Sequence, residues 1–151
     1  MSYCVEVWGN SYKSNLNPVF LLQKRAIRII KKAAFFEPTN ALFINLYTLK
    51  FWDIVSCQTL LFLYRANHNL LPSCLQKLFQ SKENKYELRN KGMFEPNWAR
   101  TNTKKHCITV KGVSLWQSCD KELKKCSTLY KFKKMFKSKA INNYRKVSTL
   151  V

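Results

Sequence analysis

Apolar positions recur at helical spacing in three long stretches of the chain. In residues 16–32, Val19, Phe20, Gln23, Ala26, Ile27 and Ile30 share one face, while Lys24, Arg25, Arg28, Lys31 and Lys32 occupy the other. Pro18 falls near the first turn, where a missing N–H costs nothing, and the cations gather toward the C-terminal end, where they suit the helix dipole. Residues 50–67 read as a second long helix, marked by Phe51, Ile54, Val55, Gln58, Leu61, Phe62 and Arg65. A third runs from about Ser127, a plausible cap, to Tyr144, with Leu129, Phe132, Met135, Phe136, Ala140, Ile141 and Tyr144 as its stripe.

Shorter elements fill the gaps. A helix is expected around 39–47 with Thr39 or Asn40 as cap after Pro38, and another segment around Leu75, Leu78 and Phe79 after Pro72. Residues 80–105 are polar, carry Gly92 and Pro96 and lack a period, so they read as a loop or linker. Residues 106–111 alternate weakly and suggest a short strand or extended arm ending at Gly112. A helical turn at 114–116 and a short helix at 121–126 capped by Asp120 precede the last helix.

Composition narrows the classes. Hydrophobic residues are 46% of 151, enough for one sizeable core, so the chain does not read as disordered throughout. Only 3 glycines occur, and neither GxGxxG nor GxxxxGK[ST] is present. Six cysteines lack any CxxC pair and any close zinc-type spacing, and the N-terminal residues have neither a basic nor an apolar leader region; free thiols in a nuclear or cytoplasmic, reducing compartment are expected. The apolar run at 60–64 is too short to span a bilayer.

The charge changes the picture most. Lys plus Arg number 27 against 8 Asp plus Glu, a net +19 that calls for a polyanionic partner. Residues 1–80 carry 9 basic and 3 acidic residues (+6), and residues 81–151 carry 18 and 5 (+13). The two aspartates, Asp53 and Asp120, lie far apart in sequence and form no carboxylate cluster for two-metal chemistry. The pairs His68/Cys74 and His106/Cys107 read as structural groups. No catalytic residue, metal ligand or cofactor is expected. Lys131, Lys133, Lys134, Lys137 and Lys139 are the phosphate-contact candidates, assisted by Lys104, Lys105 and Lys111, and Trp98 is the candidate stacking ring.

Several blocks carry a resemblance. Tyr3, Trp8 and Gly9 stand in an aromatic-x-x-x-x-Trp-Gly arrangement, followed by Gln23, Lys24, Arg25, Ala26 and Arg28 in a Gln-[Lys/Asn]-[Arg/Lys]-Ala-x-Arg helix. Leu49, Lys50, Phe51, Asp53 and Ile54 form a third block, and Gly112, Leu115 and Trp116, followed by a basic helix, form a fourth. In this order and spacing the chain resembles the C-terminal region, downstream of the reverse-transcriptase domain, of LINE-type (non-long-terminal-repeat) retrotransposon proteins. Ser118 and Cys119 depart from the usual end of the fourth block, and Lys31 and Lys32 stand where small residues are common. The palm motif Phe/Tyr-x-Asp-Asp of such proteins is missing here. The resemblance therefore implies a thumb-like or post-thumb helical part, without catalysis of its own, that supports template and product handling. Met1 at the edge of the first block suggests a truncated copy.

The expectation is a mainly α-helical small domain: a helical core at 1–80, a polar linker with a possible strand at 81–112, and a basic C-terminal helical region at 113–151. Its leading expected role, which the resemblance implies, is that of a non-catalytic C-terminal fragment of a retrotransposon reverse transcriptase that supports weak, sequence-tolerant RNA or DNA binding, beside the rest of such an enzyme and with no membrane partner. The alternatives are a small independent basic nucleic-acid-binding protein and a structural or protein-interaction helical module. Oligomeric state is not legible.

Overall fold

The computed structural model describes residues 3–79 and 94–148 and is built from helices, with no β-sheet among the described residues. In chain order these are α1 (Val5–Trp8), α2 (Lys13–Lys31), α3 (Thr39–Asn45), α4 (Phe51–Asn67), α5 (Ser73–Gln76) and α6 (Asn102–Lys105). A π-helical turn, Ile108–Gly112, then runs directly into α7 (Val113–Ser118), followed by α8 (Lys121–Lys124) and α9 (Leu129–Ser148).

The organising element is α4. Its apolar residues are not confined to one stripe, which is the pattern of a helix covered on most sides. Nine of its 17 residues are buried, including Leu61, Leu63 and Tyr64. α1, α2, α7, the π-helical turn and α9 all pack against it. The largest cluster joins Leu60, Leu61, Leu63 and Tyr64 of α4 to Trp116, Leu123 and Phe132, and Phe79 and Phe94 close its far end. A second cluster sets Ile27 of α2 and Leu42 and Phe43 of α3 against Ala140, Ile141 and Tyr144 of α9. The third seats Val5, Leu16, Phe51 and Val55 where α1, α2 and α4 meet. Each fully buried large side chain contributes about 1.5–3 kcal/mol of transfer free energy, so these clusters dominate the favourable side.

One polar group fastens α2 to the start of α4. The buried Gln23 side chain donates from Nε2 to the Leu49 carbonyl (2.9 Å) and accepts from the Phe51 N–H (2.7 Å). Lys50, at the N-cap position of α4, offers no side-chain acceptor, so Gln23 satisfies one of the orphan donors of that helix end. Gly9 is required for close approach: a Cβ there would lie 2.9 Å from both Val5 Cγ2 and Val55 Cγ2.

Several local expectations are corrected. Residues 108–112 are not a strand but a π-helical turn: among the described residues no strand pairs with them, and Gly112 presses onto α4. A Cβ at Gly112 would sit 3.2 Å from Thr59 Cγ2 and 3.0 Å from Ile108 Cγ1. On α2, Ala26 and Ile30 lie on the exposed side, since the buried line runs through Leu16, Gln23 and Ile27. The α9 cap is Thr128, whose hydroxyl accepts from the Lys131 N–H (3.3 Å), and not Ser127. α3 begins after Pro38 without a side-chain cap. Asp120 stands before α8 but spends its carboxylate elsewhere. Helix α1 has no counterpart among the expected elements. Of the expected linker, residues 80–93 lie outside the described residues.

Candidate nucleic-acid interface

Two seams hold α9. In its first half, Phe132 is fully buried, with its ring 5.3 Å from Tyr64 and 6.5 Å from Trp116. The buried line then moves round the helix to Ala140, Ile141 and Tyr144, which face α2 and α3. The Tyr144 hydroxyl donates to the Asp53 carboxylate and accepts from the Lys50 N–H at 3.1 Å. The Lys50 ammonium lies 4.2 Å from the centre of the same ring. Burial first, and then the Asp53 carboxylate, push the Tyr144 phenol well above its ordinary ionisation range. Asp53 is thus a latch between α4 and α9.

The five lysines named on α9 do not share one environment. Lys139 reaches back to Asp120 (2.9 Å) and Glu122 (2.7 Å), so its charge is offset within the fold. Its hydrogen bonds to Glu122 and Asp120 hold the ammonium well above the usual lysine range. Lys137 is half-buried with its ammonium 4.6 Å from the centre of the Tyr47 ring, a cation–π contact. Lys131, Lys133 and Lys134 are exposed. Positions 131, 134, 138, 142 and 145 recur every three or four residues and lie on one stripe of the helix. Lys131, Lys134, Asn142 and Arg145 are all exposed on it. None of the three cations has a carboxylate partner among the described residues. Arg145 completes this stripe; its register with Lys131 and Lys134 could have been counted from the sequence.

The remaining candidates sit on other elements. Lys104 and Lys105 are exposed on the single turn of α6, which Thr101 caps by accepting from the Lys104 N–H (3.3 Å). Lys105 donates to Asn102 Oδ1 at 3.3 Å. Lys111, at the π-helical turn, shares a cavity wall with Lys13 of α2. Trp98 lies in an irregular stretch and is 77% exposed, a ring available to an external partner. α6 packs on the π-helical turn while α9 packs on α3, α4 and α8, so the eight candidate lysines are divided between separate elements.

Other chemistry is sparse. All six cysteines are free. Cys57 is buried in α4, and that burial pushes its thiol up to about 11. No group of three or more His, Cys, Asp or Glu side chains converges as a metal site among the described residues. No described helix is long and apolar enough to cross a membrane. No protein-family model, curated protein or solved structure matches the chain.

Proposed function

We propose that this chain is a small basic helical module that binds nucleic acid through phosphate contacts along α9, independently of sequence. The observation that carries this reading is the stripe of Lys131, Lys134 and Arg145, exposed and without local carboxylates on a helix whose opposite side is anchored in the core. Cations on a rigid helix meet a phosphate backbone without reading base edges, which gives affinity without specificity. Trp98 adds a ring on which an unpaired base can stack. The contrast with Lys139 supports the assignment, because that lysine is neutralised in place while the stripe is not. Binding, not turnover, is the role this reading gives the chain. Labelled single-stranded and duplex oligonucleotides of unrelated sequence should bind with similar affinity by fluorescence anisotropy. Strong preference for one sequence, or no binding at low salt, would contradict it.

A second reading retains the resemblance to the C-terminal region of LINE-type reverse transcriptases. It is supported by the way the resembling blocks pack on each other. Trp8 stacks on Phe51 with centroids 5.8 Å apart, Gln23 pins Leu49 and Phe51, and Gly112 lies against Thr59 and Leu63 of α4. In that setting α9 would hold template or product beside a polymerase domain on another part of the protein. An upstream coding stretch with a palm Asp-Asp motif would favour this reading; an independent promoter would favour the first.

A further inference from the structure

A cavity of about 970 Å³ opens between the start of α2, the middle of α4 and α7. It lies apart from the α9 stripe and is not needed for the proposed function. Lys13 and Lys111 both line it, and no carboxylate does. Ser14 and Ser114 add hydroxyls beside them. The first turn of α2 contributes Lys13 and Ser14, and Tyr12 at its N-cap gives no side-chain hydrogen bond. An uncapped helix start with its N–H groups favours negative charge. Deeper in the wall, Thr59 is 1% exposed and its hydroxyl oxygen has no hydrogen-bond partner among the described residues. Burial, and then the charge of Lys13, hold the Lys111 ammonium below the usual lysine range, so an anion between the two lysines would relieve their repulsion. The rest of the wall is mixed: Leu21, Trp52, Val55 and Leu115 are apolar, and Asn10, Asn17, Ser56 and Ser118 are polar.

We propose that this cavity binds a small phosphomonoester with a planar or apolar body, of the nucleoside-monophosphate kind. The phosphate sits between Lys13 and Lys111 at the start of α2, and the body lies along Trp52 and Leu115. Two charge-assisted contacts supply the anion's affinity, and contact of the body with Trp52 and Leu115 distinguishes a nucleotide from free phosphate.

The test is an NMR titration of the full chain with adenosine monophosphate, adenosine and inorganic phosphate. Adenosine monophosphate should give saturable shifts at the Lys13, Ser14 and Lys111 amides and the Trp52 indole. Inorganic phosphate should bind more weakly at the same amides, and adenosine should give no saturable shift. The double variant Lys13→Gln/Lys111→Gln should weaken nucleotide binding by about ten-fold or more, whereas Lys131→Gln/Lys134→Gln/Arg145→Gln should leave it unchanged. Shifts that do not saturate at millimolar nucleotide, or that map to α9, would overturn the proposal; the wild-type map decides this without any variant. An unchanged affinity in the double variant would overturn it as well. Because the α9 variant is assayed separately with oligonucleotides, loss of one activity does not imply loss of the other.

Discussion

Helices α4 and α9 are two of the three long helices of the core, they pack on each other, and they use their surfaces in opposite ways. α4 is covered on most sides, with nine buried residues among 17. α9 spans 20 residues, and among its described side chains Phe132, Ala140, Ile141 and Tyr144 are buried. The apolar positions of α4 are largely committed to packing, so it positions other elements and shows a ligand only the part of its surface around Trp52 and Ser56 that lines the cavity. α9 uses a narrow, shifting seam and leaves a line of cations in water. The cost of burying charge makes this division necessary: lysines on α4 at the positions of Leu61 or Leu63 could not remain ionised without partners. Function follows the helix that is only partly committed to the core.

The comparison breaks most sharply where the two helices touch. Phe132→Ala removes a fully buried ring between Tyr64 and Trp116, and a loss of about 3–5 kcal/mol is expected in denaturant unfolding. A loss under about 1 kcal/mol would mean that α9 is not part of the core. Gln23→Met tests the fastening of α4 from α2, since it strands the Phe51 N–H and the Leu49 carbonyl. A cost of about 2–4 kcal/mol is expected.

Tyr144→Phe sharpens the comparison at its polar contact. Losing a hydrogen bond to a carboxylate should cost about 2 kcal/mol at neutral pH. Tyr144 ionises above its ordinary value of 10.0 in the fold, so its protonated form is favoured there. Its contribution is fully present below that ordinary value and is lost as pH rises through the higher folded one. Wild-type stability should therefore fall toward that of Tyr144→Phe in alkali, and the difference between them is the quantity to follow by thermal unfolding. A pH-independent difference would show that the latch does not titrate. The smallest expected effect on stability belongs to Lys131→Gln/Lys134→Gln/Arg145→Gln, within about 0.5 kcal/mol, because exposed charges without carboxylate partners hold little together.

The long helices were legible because their apolar spacing reports burial directly. Ile27 and Phe132 were both expected on apolar faces, and both are buried. What escaped were features set by tertiary neighbours. The 106–111 segment alternates like a strand, but alternation does not report the tertiary neighbour that fixes its backbone: Gly112 is small because α4 lies against it. Ile30 has the right period for the core face yet lies outside it, because the start of α4 covers Gln23, α3 and α9 cover Ile27, and Ile30 is left exposed. The basic character of α9 was legible as well. The pairing of Lys139 with Asp120 and Glu122, 19 and 17 residues away, was not, since it depends on how α8 folds back toward α9. The cavity shared by Lys13 and Lys111 joins residues from distant parts of the chain, and no local motif announces it.

The most direct test of the central claim is the salt dependence of oligonucleotide binding by fluorescence anisotropy. It should be measured for the wild type, for Lys131→Gln/Lys134→Gln/Arg145→Gln, and for Arg25→Gln/Lys31→Gln/Lys77→Gln, which removes equal charge from exposed positions outside α9. If the α9 stripe contacts phosphate, its variant should lower the log–log salt slope on duplex by roughly two to three units while the control keeps the wild-type slope. Equal slopes and affinities for the two variants would contradict the account, because net charge alone would then explain the attraction.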